Sequence, residues 1–288
     1  MTLRVFDDAA AFLDVAAPHL LAREAENGLP LGVATALRDG RRYGDEPPFL
    51  ACAMNGELVT AVAVRTPPYN LLLAWADRPD WEPIARHLLA AGTLLPGISA
   101  EEGVALGFAA WWSKARGVSH EVAMRQRLYR LAAVARPRGV PGHARWAEAE
   151  DADRLARWVE AFSAEAIPDS PASDAPALVA RHLAARTLRV WDDGGPVSMA
   201  AITRGTLHGA SISLVYTPPD RRGRGYASAC VADLSQCVLD SGKAFCTLYA
   251  DLANATSNGI YRRIGYERLA DALEIRFRGR GDLPSGPP

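Results

Sequence analysis

Val215-Tyr216-Thr217-Pro218-Pro219-Asp220-Arg221-Arg222-Gly223-Arg224-Gly225-Tyr226-Ala227-Ser228 joins a segment of alternating polarity to one of helical periodicity. Gly223 and Gly225, followed by the small Ala227 and Ser228, let several backbone N–H groups converge on one point with no side chain in the way. A helix starting here adds its unpaired N–H groups and the positive end of its dipole. Arg221, Arg222 and Arg224 bring further positive charge to the rim. The stretch reads as a strand-loop-helix cradle for a diphosphate-bearing ligand. The competing reading of the loop by itself is a solvated turn whose arginines face water.

The sequence on either side supports the strand and the helix. Upstream, Thr206 to Tyr216 alternates, which assigns His208, Ala210, Ile212 and Leu214 to one face and Leu207, Gly209, Ser211 and Ser213 to the other. Before it, Thr187 to Trp191, a turn over Asp192 to Gly195, and Pro196 to Thr203 predict an antiparallel hairpin. Leu155, Trp158, Val159 and Phe162 have helical spacing within residues 150–166, and a second helix is expected over 175–185. The loop between them, residues 167–176, is long enough to form one wall of a site. Downstream come a helix over 225–241, a strand over 244–250, a helix over 257–264 and a final strand pair over 266–277. This order predicts the α/β class, with a mixed sheet covered by helices on both faces.

The first half repeats the order more faintly, from a helix over 8–24 to a strand over 120–134, so the halves look like diverged copies of one fold. Val134 to Gly142, rich in Pro, Gly and Arg, sets the boundary between a domain at 1–136 and one at 140–280. The cradle does not repeat. At the matching junction stand Asp77, Asp80 and Glu82 with no glycine, so the first copy is not expected to hold a phosphate.

Composition limits the alternatives. The 288 residues are 49% hydrophobic and 23% charged, with a formal net charge of -1, which gives no global pull toward nucleic acid or an anionic membrane. Cys52, Cys230, Cys237 and Cys246 form no CxxC pair and share no zinc-ligand spacing with histidine, so free thiols and no metal are expected. Acidic residues at the N-terminus and the lack of a long apolar run argue against a signal peptide or membrane span, which places the protein in the cytoplasm. Trp111 and Trp112 read as packing residues, and the terminal RFRGRGDLPSGPP as a frayed end.

A second segment follows the cradle: Asp251-Leu-Ala-Asn254-Ala-Thr-Ser257-Asn258-Gly-Ile-Tyr261-Arg-Arg-Ile-Gly265-Tyr266. Together the two stretches resemble the GNAT superfamily of N-acetyltransferases. Arg222-Gly223-Arg224-Gly225-Tyr226-Ala227 fits the family's acetyl-CoA signature, and the second segment is similar to one in which an Asn opens a turn and a Tyr on the next helix faces the thioester sulfur. The resemblance implies two GNAT-like domains in tandem, a degenerate N-terminal one and a catalytic C-terminal one, with acetyl-CoA as cosubstrate and a small-molecule or peptide amine as acceptor. It further implies that Val215, Tyr216 and Thr217 pair with the pantetheine arm, that Arg222 to Ser228 hold the pyrophosphate, that Asn254 holds the pantetheine or the turn, and that Tyr261 is the general acid.

Several residues keep a second reading. Tyr261 suits aromatic packing beside Ile260 and Ile264, and Asn254 and Ser257 suit helix capping. The general base stays open among Glu165, Asp251, a water-linked Ser213 and bulk water reached through a relay. Asp169 and Asp174 lean toward a cationic acceptor amine. Two other functions compete: a CoA-responsive protein without catalysis, and a dinucleotide-binding oxidoreductase. The second draws on Gly223 and Gly225 after a strand and Asp251 ending the next, although Ser228 stands where a third glycine belongs.

Overall fold

The computed structural model describes residues 1–168, 171 and 174–279. The described chain divides into unit 1, residues 1–127 with the stretch from 270 on, and unit 2, residues 128–269. Unit 1 contains β1 (Thr2–Phe6), α1 (Ala9–Leu21), α2 (Gly28–Arg38), β2 (Phe49–Asn55), β3 (Leu58–Arg65), β4 (Leu71–Leu73), α3 (Glu82–Ala90), β5 (Gly97–Glu101) and α4 (Glu102–Arg116). Strand β6 (Ser119–Leu131) enters unit 2 at Leu128. There follow β7 (His143–Trp146), α5 (Ala152–Ala166), α6 (Ala175–Ala184), β8 (Leu188–Asp192), β9 (Pro196–Gly205), β10 (Gly209–Tyr216), α7 (Tyr226–Asp240), β11 (Phe245–Asp251) and α8 (Ala255–Ile264). Strand β12 (Glu267–Arg278) re-enters unit 1 at Ala270.

In unit 2 the strand order is β6-β11-β10-β9-β8-β7, with β10 antiparallel to β9 and parallel to β11. One face is covered by α7 and α8. The apolar positions of α7, among them Cys230, Val231, Leu234 and Val238, pack with Tyr129, Leu131, Ile212, Leu248 and Tyr266. On the other face, Leu155 and Val159 of α5 and Val179 of α6 pack against Leu188, Val190, Met199 and Leu214. Each fully buried aliphatic side chain of this kind contributes roughly 1.5–3 kcal/mol, so the two helical layers hold the sheet. Asp174 caps α6 by accepting from the Ala177 N–H at 3.0 Å, and Asn254 caps α8 by accepting from the Ser257 N–H at 2.9 Å. Helix α8 ends at Gly265, whose φ of +106° and 2.9 Å approach of a Cβ to the Ala133 carbonyl both exclude a side chain.

Unit 1 repeats the plan in the order β1-β2-β3-β4-β5-β12-β6, with β4 antiparallel to β3 and parallel to β5. Trp112 is buried in its core, stacked on Phe108, and Trp111 lies edge-on to Trp81.

The structure departs from the sequence reading at several points. The division falls at Leu128, inside β6, rather than at 136–140. The final strand pair is one strand, β12, and Ala272 to Arg276 pair with Glu101 to Gly97 of β5 in unit 1. Arg276, Phe277 and Arg278 therefore belong to a strand and not to a frayed end; residues from 280 lie outside those described. Strand β10 begins at Gly209, because Thr206 Oγ1 bonds the Gly209 N–H and closes a turn over Leu207 and His208. Leu214 leaves the face assigned to it. Its φ is +52°, and between Ser213↔Ala201 and Tyr216↔Met199 the strand carries one residue more than its partner. This bulge sends Leu214 and Tyr216 to the α5 side while Ala210 and Ile212 stay on the α7 side.

Candidate active site

The parallel ladder between β10 and β11 is short. It pairs Gly209 with Phe245, Ala210 with Cys246 and Ser211 with Thr247, and ends there, although β10 runs on to Tyr216 and β11 to Asp251. The last rung is tied by Ser211 Oγ and Thr247 Oγ1, 3.0 Å apart. Beyond it the strands part, and the bulge at Leu214 lies on one arm of the fork. Edges freed in this way offer backbone N–H and C=O groups to an extended ligand.

The loop leaving that arm leads into α7. Gly223 and Gly225 have φ of +78° and +85°, values that favour glycine, and a Cβ on Gly225 would come within 3.0 Å of Val140 Cγ2. Gly225 is the N-cap of α7, and no side chain among the described residues caps the helix, so the N–H groups of its first turn, at Tyr226, Ala227 and Ser228, have no side-chain acceptor. The Tyr226 hydroxyl donates to Asp193 Oδ2 at 2.5 Å and also meets Arg224, which ties the helix start to the β8–β9 turn.

Arg222 is already engaged. Its Nη2 donates to both carboxylate oxygens of Glu165, at 3.0 and 2.7 Å, and its Nε donates to the Thr217 carbonyl at 2.9 Å. Its guanidinium lies 5.7 Å from the Tyr216 ring centroid. Tyr216 and Thr217 are held from the other side by buried Ser198, whose Oγ donates to the Tyr216 carbonyl at 3.1 Å and lies 2.9 Å from Thr217 Oγ1. Val215 is half-buried at the edge of the α7-side core.

Tyr261 points into that core. It is 7% exposed, with ring centroids of Tyr129 and Tyr266 at 6.2 and 5.9 Å. Burial pushes its phenol up to about 12, while a hydrogen bond from Ser257, one turn earlier, works against the shift. The turn before α8 is clasped by Asn258, which the sequence reading did not single out. Its Nδ2 donates to the carbonyls of Asp251 and Asn254, both at 2.7 Å, and its Oδ1 accepts from the Tyr129 hydroxyl at 2.8 Å. Asn254 thus anchors a turn that Asn258 locks.

Of the three candidate base residues, Glu165 is paired with Arg222, and the Asp251 carboxylate accepts from the Ala253 N–H at 2.9 Å. Ser213 is half-buried on the bulged strand. Asp174 is a helix cap, and Asp169 lies outside the described residues. All four thiols are free, and burial raises each of them. Among the described residues no group of three or more His, Cys, Asp or Glu side chains is placed to hold a metal, and no helix is long and apolar enough to cross a membrane.

Residues 193–275, which include the fork, the cradle and α8, match the family model described as FR47-like protein. No curated protein matches the chain. Solved structures do. A GCN5-related N-acetyltransferase from Sphaerobacter thermophilus is 17% identical with a TM-score of 0.59, over 96% of this chain and 95% of that one. A GCN5-related N-acetyltransferase from Kribbella flavida is 19% identical with a TM-score of 0.58, over 91% and 98%. A tandem GNAT protein from the clavulanic acid biosynthesis pathway is 13% identical with a TM-score of 0.57, over 96% and 98%. The chain has the tandem GNAT fold. The antiparallel β9–β10 pair before the glycine loop belongs to that fold and not to the βαβ unit of a dinucleotide-binding enzyme.

The two GNAT copies differ at the cradle. In unit 1 the chain leaves β4 and enters α3 with Glu82 in the first turn and Pro83, which has no N–H, beside it. Asp77 in the same connection pairs with Arg23. Fully buried Asn27 completes the difference: its Oδ1 accepts from the Trp75 N–H at 2.7 Å, and its Nδ2 lies 3.3 Å from the Trp75 and Leu20 carbonyls. The main chain just past β4, equivalent to the arm of the fork in unit 2, is therefore satisfied from within. The acidic junction was legible in the sequence; Asn27, far from it along the chain, was not.

Proposed function

We propose that unit 2 binds acetyl-CoA along the fork and the α7 cradle and transfers the acetyl group to an amine by direct attack on the thioester. One observation carries the reading: the β10–β11 ladder stops at Ser211 and Thr247, and the arm it frees leads through two positive-φ glycines into an uncapped helix N-terminus. The free edge suits an extended pantetheine, and the helix start suits its pyrophosphate.

In this reading the N–H groups of Gly223 to Ser228 take the pyrophosphate, and the backbone of Val215, Tyr216 and Thr217 pairs with the pantetheine arm. The residue added by the bulge leaves an N–H outside the ladder, available to polarise the thioester carbonyl. The neutral amine attacks the carbonyl carbon, the C–N bond forms, the nitrogen passes its surplus proton to solvent water, and the C–S bond breaks with its electrons going to sulfur. Tyr261 donates a hydrogen bond to the departing thiolate. A phenol at about 12 is a weaker acid than a thiol, so it stabilises the thiolate mainly without giving up its proton. Asn254 serves the site by holding the turn that presents Tyr261. Unit 1 carries no second acetyl-CoA site.

The test is calorimetry of the full chain with acetyl-CoA and NADH, followed by thiol release with a panel of amino acids, polyamines, aminoglycosides and peptides. The expected result is one acetyl-CoA per chain, no NADH binding, and thiol release with at least one amine. Two sites per chain would refute the sealed first copy, and binding without release for every amine would point to a CoA-responsive binding protein.

A further inference from the structure

We infer that Glu165 is a positioning residue for the cofactor loop, acting through Arg222, and that Arg222 serves the site as a bracket and not as a phosphate-binding charge. The inference rests on the acetyl-CoA reading of unit 2. It starts from how the guanidinium spends its donors. A phosphate-seeking arginine presents its fork outward; here Nε is committed to the Thr217 carbonyl and Nη2 to the Glu165 carboxylate. The Nε bond spans from Arg222 back to Thr217, and together with the Arg221 N–H to Pro218 and Arg222 N–H to Pro219 bonds it closes the loop on itself.

Glu165 supplies the other end of the bracket. It lies on the last turn of α5, on the same stripe as Trp158, whose ring packs 6.1 Å from that of Tyr216. Helix α5 is therefore fastened at two points, Trp158 on Tyr216 at the end of β10 and Glu165 on Arg222 in the loop that follows. Ser198 holds the same two residues, Tyr216 and Thr217, from β9. The stretch that would pair with pantetheine is thus fixed from three elements, and Arg222 is the part of that clamp belonging to the loop itself.

The bracket and the phosphate-charge roles predict opposite signs for one substitution. If Arg222 served as positive charge, Glu165→Gln would remove a competing anion and tighten acetyl-CoA binding. If it is a bracket, the same change releases the guanidinium and weakens binding. Lysine separates the roles again: it keeps the charge but cannot bond a carboxylate and a carbonyl through two rigid donors at once.

The experiment measures acetyl-CoA dissociation constants by calorimetry on the full chain for the wild type, Glu165→Gln, Arg222→Lys, Arg222→Gln and the Glu165→Gln/Arg222→Gln pair, with thermal midpoints as a control for folding. Expected are losses of about threefold to tenfold for each single change, within the range of a charge-assisted contact on a half-exposed pair. The double variant should be no weaker than Arg222→Gln alone, since both changes remove the same contact, and the midpoints should stay close to wild type. Tighter or unchanged binding in Glu165→Gln, near-normal binding in Arg222→Lys, or additive losses in the double variant would overturn the inference while leaving the acetyl-CoA site intact. A wild-type chain that binds no acetyl-CoA would overturn the underlying reading and this inference with it.

Discussion

Ala227→Glu should make the protein slightly more stable and nearly unable to bind acetyl-CoA. Ala227 is the second residue of α7, half-buried, on a helix start without a side-chain cap. A carboxylate there meets the free N–H groups and the positive end of the helix dipole, which stabilises by about 0.3–1 kcal/mol. The same carboxylate would lie roughly 5 Å from a phosphate bound on those N–H groups. At an effective dielectric of about 20, one pair of unit charges at that distance repels by about 3 kcal/mol, and salt screens little over so short a range. The dissociation constant should rise on the order of a hundredfold. Ala227→Gln, of the same size and uncharged, should stay within about threefold of wild type, because its difference from Glu is the charge alone. Calorimetric titration with acetyl-CoA reads the affinity, and scanning calorimetry should show a midpoint unchanged or higher by about 1–3 °C. Equal losses in the Glu and Gln variants, or wild-type affinity in both, would refute the electrostatic reasoning; a midpoint several degrees lower would show that the fold had been damaged instead.

Tyr261→Phe should lower turnover about tenfold to a hundredfold while acetyl-CoA affinity stays within about twofold, since the phenol acts on the leaving group; stopped-flow thiol release beside equilibrium binding checks both, and unchanged turnover would remove Tyr261 from the mechanism. Burial holds the Cys52 and Cys246 thiols and the Tyr261 phenol at about 12, whereas the unfolded groups ionise from about pH 8.5 and 10. The native chain keeps protons that the unfolded chain releases, so stability from these groups is complete below about pH 8.5 and is lost as pH rises through the folded values. Urea midpoints should therefore fall between pH 8.5 and 10.5, and a constant midpoint over that range would contradict the burial of these groups. Arg145 joins Asp151 and Asp192 with bonds of 2.7 and 2.8 Å, so Arg145→Met should cost about 3–5 kcal/mol in urea unfolding by leaving two sheltered carboxylates unpaired; a loss under 1 kcal/mol would mean water screens the cluster.

Local signals in the sequence carried the reading where the structure itself is local. The alternation of the β8–β9 hairpin, the periodicity of α5 and α7, the positive-φ glycines and the Asn254 cap each depend on neighbours a few residues away. Helix α2 was missed because Gly28, Pro30 and Gly32 weaken its propensity, although Pro30 sits in the first turn, where a missing N–H costs nothing. The four-residue β7 was missed because it follows the same Pro and Gly residues that suggested a linker. The bulge at Leu214 could not be read from alternation, since a period of two assumes that no residue is added. Nor could the partners of Arg222, Asn258 and Asn27, because each side chain chooses among groups brought close only by the fold. The partner of β12 was hidden for the same reason: its pattern is equally compatible with either copy's sheet, and only the tertiary structure assigns residues 272–276 to β5.

That assignment gives the chain a timetable. Ile98 of β5 finds its partner in Ile275, which leaves the ribosome after every element of unit 2 has been made. At about 5–20 residues per second, the wait between those two residues is on the order of ten seconds or more. During it, β5 is a nascent edge without its β12 neighbour, and unit 2, which ends at Leu269, is made within the same interval. Vectorial synthesis therefore makes the last residue of unit 2 before the residues of β12 that complete unit 1, so unit 1, although encoded earlier, finishes last.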